Sequence, residues 1–192
     1  MKKYISTLAI FSLLLFSCDE NSLDRTIFIP DENNPDLPAY TEWGYNSFGA
    51  IYERAVIVST NSIVPCKIVY KDDILDFSLI GQYNREKMTL TFSFPLPGLQ
   101  TIDDLADLND LKVDLTENCT IKLNNSQIPL EVLSGQLHFK RIQLLSVDEK
   151  FNRIILSGTF EARFLRDGLP EAISDGRFDI GVTSKDFYNY PN

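Results

Sequence analysis

In this 192-residue chain the residue type most used for acid–base catalysis occurs once. The one histidine, His138, lies in Leu137-His138-Phe139-Lys140-Arg141. On a strand it faces away from Leu137 and Phe139. As a general base it needs a nucleophile, and the sequence offers neither a Gly-x-Ser-x-Gly elbow nor a nearby cysteine. The doublets Asp72-Asp73 and Asp103-Asp104 are the next candidates, since a glycosidase uses two carboxyl groups about 5–9 Å apart. Sequence cannot set that separation, and solubilising turn charges account for both doublets. Glu161 with Arg163, and Asp175 with Arg177 and Asp179, alternate along strand-like runs, where a cross-strand charge ladder explains them. There is no CxxC pair, no phosphate-cradling glycine loop and no metal-ligand spacing. Residue types therefore point to a protein that is not an enzyme and carries no metal or cofactor.

Two further groups bear on binding and redox state. Tyr40, Trp43, Tyr45, Phe48 and Tyr52 crowd one region. Buried, such rings are core; exposed, they stack on sugars, which makes Trp43 and Tyr45 the candidate ligand-stacking residues. Cys66 and Cys119 sit in or beside predicted strands. Export would let a disulfide persist between them, but geometry decides between a bridge and two buried thiols.

A third cysteine has a different setting. Lys2 and Lys3 precede an apolar stretch from Ile5 to Phe16, too short to span a bilayer and of signal-peptide length. It ends in Leu15-Phe16-Ser17-Cys18, which resembles a bacterial lipobox. The resemblance implies diacylglycerol transfer to the Cys18 thiol, cleavage before it, and palmitate-type acylation of the new amine. Several acyl chains on one residue anchor stably, at about 0.8 kcal/mol per buried CH₂. Loss of Lys2 and Lys3 leaves 16 basic against 27 acidic residues, a charge of −11. That balance argues against a nucleic-acid partner.

The remaining elements must position these residues. Residues 1–17 read as the leader and 18–42 as a flexible acidic tether rich in Asn and Pro. Its Asp/Asn cluster lacks the Gly and Glu of an EF-hand loop. A single β domain is expected over 43–187, with 188–192 as a tail. Leu75, Phe77 and Leu79 alternate with polar residues, as do Met88, Leu90, Phe92 and Phe94, and Gly81 to Lys87 reads as the hairpin joining them. Cys119, Ile121 and Leu123 make another face. Gln136–Val147 and Arg153–Phe164 form a strand pair around a turn at 148–152. Leu156, Phe160, Phe164, Phe178 and Ile180 are expected core, and Gly158 marks a bulge or a close backbone approach. Thr101 with Asp104 opens one short helical turn near 101–108. The class is all-β: an antiparallel β-sandwich, or alternatively an up-and-down, lipocalin-like barrel carrying a small apolar ligand.

Three segments carry a family resemblance: Asn46-Ser47-Phe48-Gly49-Ala50, Asn152 to Phe160 with its Ser-Gly-Thr-Phe, and Ile173-Ser174-Asp175-Gly176-Arg177-Phe178. With the lipobox, they resemble the small uncharacterised all-β lipoproteins of Bacteroidota. Many of those have an Asn-Gly turn where this chain has Tyr52-Glu53-Arg54. The resemblance implies an outer-membrane lipoprotein and brings no activity. Asp19 after the Cys would mean inner-membrane retention under the enteric rule. Asp19-Glu20 instead looks like the surface-export signal of that family, so surface display is expected over the periplasmic face. The expected partners are the membrane, through Cys18, and a glycan or envelope protein.

Overall fold

A computed structural model describes residues 25–60, 65–124, 126–147 and 150–190. The leader, Cys18 and Asp19-Glu20 lie outside the described residues. Among the described residues eleven strands form, most of them where apolar and polar residues alternate: β1 Ser47–Tyr52, β2 Ala55–Val58, β3 Cys66–Lys71, β4 Ile74–Tyr83, β5 Glu86–Pro95, β6 Lys112–Asp114, β7 Thr120–Leu123, β8 Glu131–Val147, β9 Lys150–Arg166, β10 Leu169–Val182 and β11 Phe187–Tyr190. Two-residue turns close four of the hairpins, and left-handed backbone is set by residues suited to it. Asp72 and Asp73 join β3 to β4 at φ 52° and 59°, and Asn84-Arg85 join β4 to β5 at 52° and 70°. The first acidic doublet is thus the turn itself. In the second, Asp104 Oδ2 accepts from the Thr101 and Gln100 amides at 2.7 and 2.8 Å, starting the short 3₁₀ helix Ile102–Leu108.

The strands make one curled, half-barrel mixed sheet. Its path runs β11-β3-β4-β2-β1-β10-β9-β8-β6, with β5 on the far side of β4 and β7 beyond it. β4 is shared lengthwise: residues 74–79 pair with β3, and Gln82 and Tyr83 with β2. Every pairing is antiparallel except β11 on β3. Residues 188–190, expected as tail, therefore belong to the sheet.

Curling brings β4 and β5 onto β8, β9 and β10. Phe77 packs on Phe139 and Phe178 at ring-centroid distances of 5.2 and 5.1 Å, and Phe92 meets Phe160 at 5.3 Å. Leu156, Phe160, Phe164, Phe178 and Ile180 are all buried, as their parity predicts. Burying each such ring or branched chain stabilises by about 1.5–3 kcal/mol. Leu105 and Leu108 of the 3₁₀ helix join the same core. Gly158 faces the Phe178 ring across the sheet: a Cβ there would stand 2.2 Å from the His138 carbonyl oxygen and 2.5 Å from that ring. It sits opposite a bulge in β8 between Phe139 and Arg141.

The segment expected to end a flexible tether is laid on the sheet instead. Residues 26–45, here called the strap, cross its outer face. Leu37 is fully buried and Pro38 pairs with Pro30 across a small loop. Both pack over Gly49 of β1, where a Cβ would lie 2.3 Å from Pro38 Cδ and 3.3 Å from Leu37 Cδ2. Asp31 Oδ2 accepts from Arg177 Nη1 on β10 at 2.6 Å. The side of β8–β10 turned away from the Phe core is therefore partly covered. That decides what the outward residues do.

Candidate functional site

Asp179 shows the effect most clearly. Its parity puts it outward on β10, in the expected charge ladder, yet it is 1% exposed because the strap lies over it. Its carboxylate accepts from Thr41 Oγ1 at 2.6 Å and from the amides of Trp43, Gly44 and Tyr45 at 3.1, 2.7 and 3.2 Å. The Ser157 hydroxyl of β9 supplies a fifth bond at 3.1 Å. A buried carboxylate is tolerable only when its lone pairs are satisfied in this way. The ladder assignment for Asp179 is therefore corrected: the residue fastens the strap. Arg177 leaves the ladder as well, bound to Asp31 and to the Asp175 carbonyl at 3.1 Å.

This bracket presents Trp43 to solvent with its backbone fixed. The indole is 74% exposed, whereas Tyr45 is half-buried and Phe48 and Tyr52 are core. Exposed large apolar side chains also occur beside it on the strap at Ile27 and Phe28, and the Ile27 amide donates to the Tyr45 carbonyl. The aromatic group thus divides: two rings in the core, two half-buried (Tyr40 and Tyr45) and one, Trp43, presented to solvent.

A groove opens where the strap ends. It is lined by Tyr40, by Gln136 and His138 of β8, by Thr159 and Glu161 of β9, and by Asp175 and Arg177 of β10, and it encloses about 320 Å³. A second hollow of about 610 Å³ lies against the same strands and shares Gln136 and Glu161 in its lining. The bulge in β10 between Ile173 and Gly176, with Asp175 at φ 51°, shapes one wall. Tyr40 forms another; Lys140 Nζ stands 4.8 Å from its ring centroid and its hydroxyl donates to Glu42 at 2.9 Å.

His138 enters this groove, but its Nε2 is 2.9 Å from Asp110 Oδ1. That bond holds the Asp110 carboxyl below its usual range. The structure brings His138 to the same groove as Glu161 and Asp175, and does not bring it to either acidic doublet. Gln136, Thr159 and Asp110 had no signal in the sequence, because nothing in a strand's alternation shows which outward residues a distant segment leaves uncovered. Among the described residues, no group of three or more His, Cys, Asp or Glu is placed to hold a metal, and no helix is long and apolar enough to cross a membrane.

The two remaining thiols are free, Cys66 buried and Cys119 half-buried. Burial pushes the Cys66 thiol well above its ordinary value and raises Cys119 to about 11. Between bridge and separate thiols, the structure has separate thiols. Compared with protein-family models, with curated proteins and with solved structures, the chain finds no match.

Proposed function

We propose that this protein is a lipid-anchored, non-catalytic binding module of the cell envelope, acylated at Cys18, held in the outer membrane and displayed at the surface. Its partner in this reading is a glycan. The observation that carries it is Trp43: a large apolar ring left in water on a segment fastened by four hydrogen bonds to a buried carboxylate. A pre-positioned flat ring stacks on a sugar face without losing much conformational freedom on binding. Tyr45 is the second stacking residue. The short leader, the lipobox and the acidic residues after Cys18 support the anchor and its surface leaflet.

We read the curled sheet as two layers of a sandwich, since Phe77 of β4 packs on Phe139 and Phe178, and Phe92 of β5 meets Phe160 edge-on, across the middle. Rings in contact across the middle favour this over a barrel that carries an apolar ligand. His138, Glu161 and Asp175 share a groove, but the imidazole is tied to Asp110, and its partners across the sheet are Thr159 on β9 and Lys112 on β6.

Trp43 is the only tryptophan in the chain, so its fluorescence reports on its own surroundings. Titration of the intact lipoprotein with a panel of envelope and neutral oligosaccharides should blue-shift or quench the emission. Trp43→Ala should abolish that binding with the melting temperature kept. Turnover of a bound saccharide would overturn the non-catalytic reading. Acyl labelling with Cys18→Ser as control tests the anchor, and absence of label on the wild-type chain sinks it. Protease shaving of intact cells then separates the surface from the periplasmic face.

A further inference from the structure

We infer that the outer-face groove between Tyr40 and the β10 bulge is a subsite for a neutral oligosaccharide, contacted by Gln136, Thr159 and Glu161. The inference rests on the glycan reading above and adds a polar subsite to the stacking at Trp43.

Three observations converge on it. First, the groove has room. Its two hollows, of about 320 and 610 Å³, share Gln136 and Glu161 in their walls, and each falls within the range of about 300–1,000 Å³ common for small-ligand sites. Two neighbouring hollows along three strands suit a chain of rings better than a single one.

Second, its polar groups divide sharply between used and free. Arg177 is bound by Asp31 and the Asp175 carbonyl, and His138 by Asp110. Among the described residues, the Gln136 carboxamide, the Thr159 hydroxyl and the Glu161 carboxylate have no hydrogen-bond partner. These three sit side by side, because Gln136 pairs with Glu161 and His138 with Thr159 across β8 and β9. A carboxylate accepts from two neighbouring hydroxyls, while a carboxamide both donates and accepts. That set matches the vicinal hydroxyls of a sugar.

Third, the charge pattern suits an uncharged chain. In the smaller hollow a phosphate or carboxylate would meet the Glu161 and Asp175 carboxylates with Arg177 already paired, and in the larger one Arg163 lines the wall together with Glu161, so opposite charges offset each other. An apolar ligand would strip water from three free polar groups without replacing it. Tyr40 lines the smaller hollow, held in place by Lys140 over its ring and by its hydroxyl's bond to Glu42.

The test uses the detergent-solubilised full-length lipoprotein and calorimetric titration with gluco-, manno-, xylo- and galacto-oligosaccharides of four to six units. At least one series should bind. Gln136→Ala and Glu161→Gln should each weaken it by about ten-fold or more, the effect of one lost hydrogen bond to or beside a charged group. Both side chains are exposed, so the melting temperature should stay within a degree or two of wild type. Binding that survives both variants but is lost in Trp43→Ala overturns the groove and leaves the glycan reading standing. Failure of every saccharide overturns the subsite, and with it the glycan reading. A lysine-rich peptide that binds in a Glu161-dependent way while no neutral sugar does would make the groove acidic-face recognition, and would equally reject the inference.

Discussion

The Trp43 amide donates to the Asp179 carboxylate at 3.1 Å, while the Trp43 indole stands 74% exposed. One residue thus has a buried backbone tie and a side chain in water, and the two facts belong together. The carboxylate accepts four bonds from the strap and one from Ser157 of the neighbouring strand, so the ring's mounting is part of the sheet.

Removal of that carboxylate should loosen the strap. Asp179→Ala leaves several donors near the sheet without their acceptor, and each unsatisfied buried group costs about 1–3 kcal/mol. The expected loss is about 3 kcal/mol or more in a urea titration. Trp43 fluorescence anisotropy should also fall under native conditions. An unchanged anisotropy would mean that the ring is held by something other than this bracket.

Gly49 gives an independent handle on the same segment. A methyl group there collides with Pro38 and Leu37, not with the strands beside it. Gly49→Ala should cost about 1–3 kcal/mol as an overpacking change. Its distinctive sign is local: chymotrypsin should cut at Phe28, Leu37 or Tyr40 well before the sheet unfolds. Resistance equal to wild type would reject the packed strap.

The strands were legible because one face of each meets a core that only apolar residues can fill. Leu75, Phe77 and Leu79 are buried as their alternation requires, and so are Phe160 and Phe178. The strap was not legible, because 26–45 has no repeat and its acidic, proline-rich makeup is that of solvated chain. What holds it is a few specific contacts: Leu37 on Gly49, Asp31 on Arg177, and four hydrogen bonds to Asp179. Alternation also misplaced Asp179 itself, since parity tells which face a residue is on and not whether that face is covered. β11 escaped notice for a related reason. Phe187 to Tyr190 pair in parallel with β3, and a parallel partner distant in sequence leaves no hairpin signal. The groove depends on where the strap stops, so its residues could not be picked out before the strap was seen.

Phe160 and Gly158 test the layer that supports the groove from below. Phe160→Ala removes a buried ring packed on Phe48 and Phe92 and should cost about 3–5 kcal/mol. Gly158→Ala forces a methyl group against the Phe178 ring and the His138 carbonyl, and should also lower the denaturation midpoint. A midpoint unmoved by Phe160→Ala would reject the assigned strand parity.

Cys66 and Cys119 should behave as protected thiols. Cys119 is raised to about 11 and Cys66 is buried, so little reactive thiolate exists in the folded protein at pH 8. A disulfide-exchange reagent should label neither within minutes, and both once guanidinium unfolds the chain. A non-reducing mass that rises by two hydrogens on reduction would show a bridge instead.

Acid should weaken the protein through carboxylates that the fold holds deprotonated. The Asp31 carboxyl is lowered by the amides of Asn33 and Asn34, and further by Arg177. Asp104 is lowered by the Thr101 and Gln100 amides, Asp110 by His138, and Asp114 by the Thr116 hydroxyl and amide. In the unfolded chain each returns to the ordinary value of 3.8. Where folded values lie below unfolded ones, the unfolded state binds more protons, so stability rises with pH across that interval. The contribution is complete above about pH 5 and is lost as pH falls through about 4 and below. Urea midpoints between pH 2.5 and 7 should therefore be flat at the top and fall on the acid side. Asp31→Asn should lower the midpoint at pH 7 and flatten the acid limb, since one titrating group is gone while the Asn33 and Asn34 amides keep an oxygen to bond. The same substitution cuts the tie to Arg177, so strap cleavage by chymotrypsin should increase at neutral pH. Parallel acid limbs for wild type and Asp31→Asn would place the acid sensitivity elsewhere in the fold.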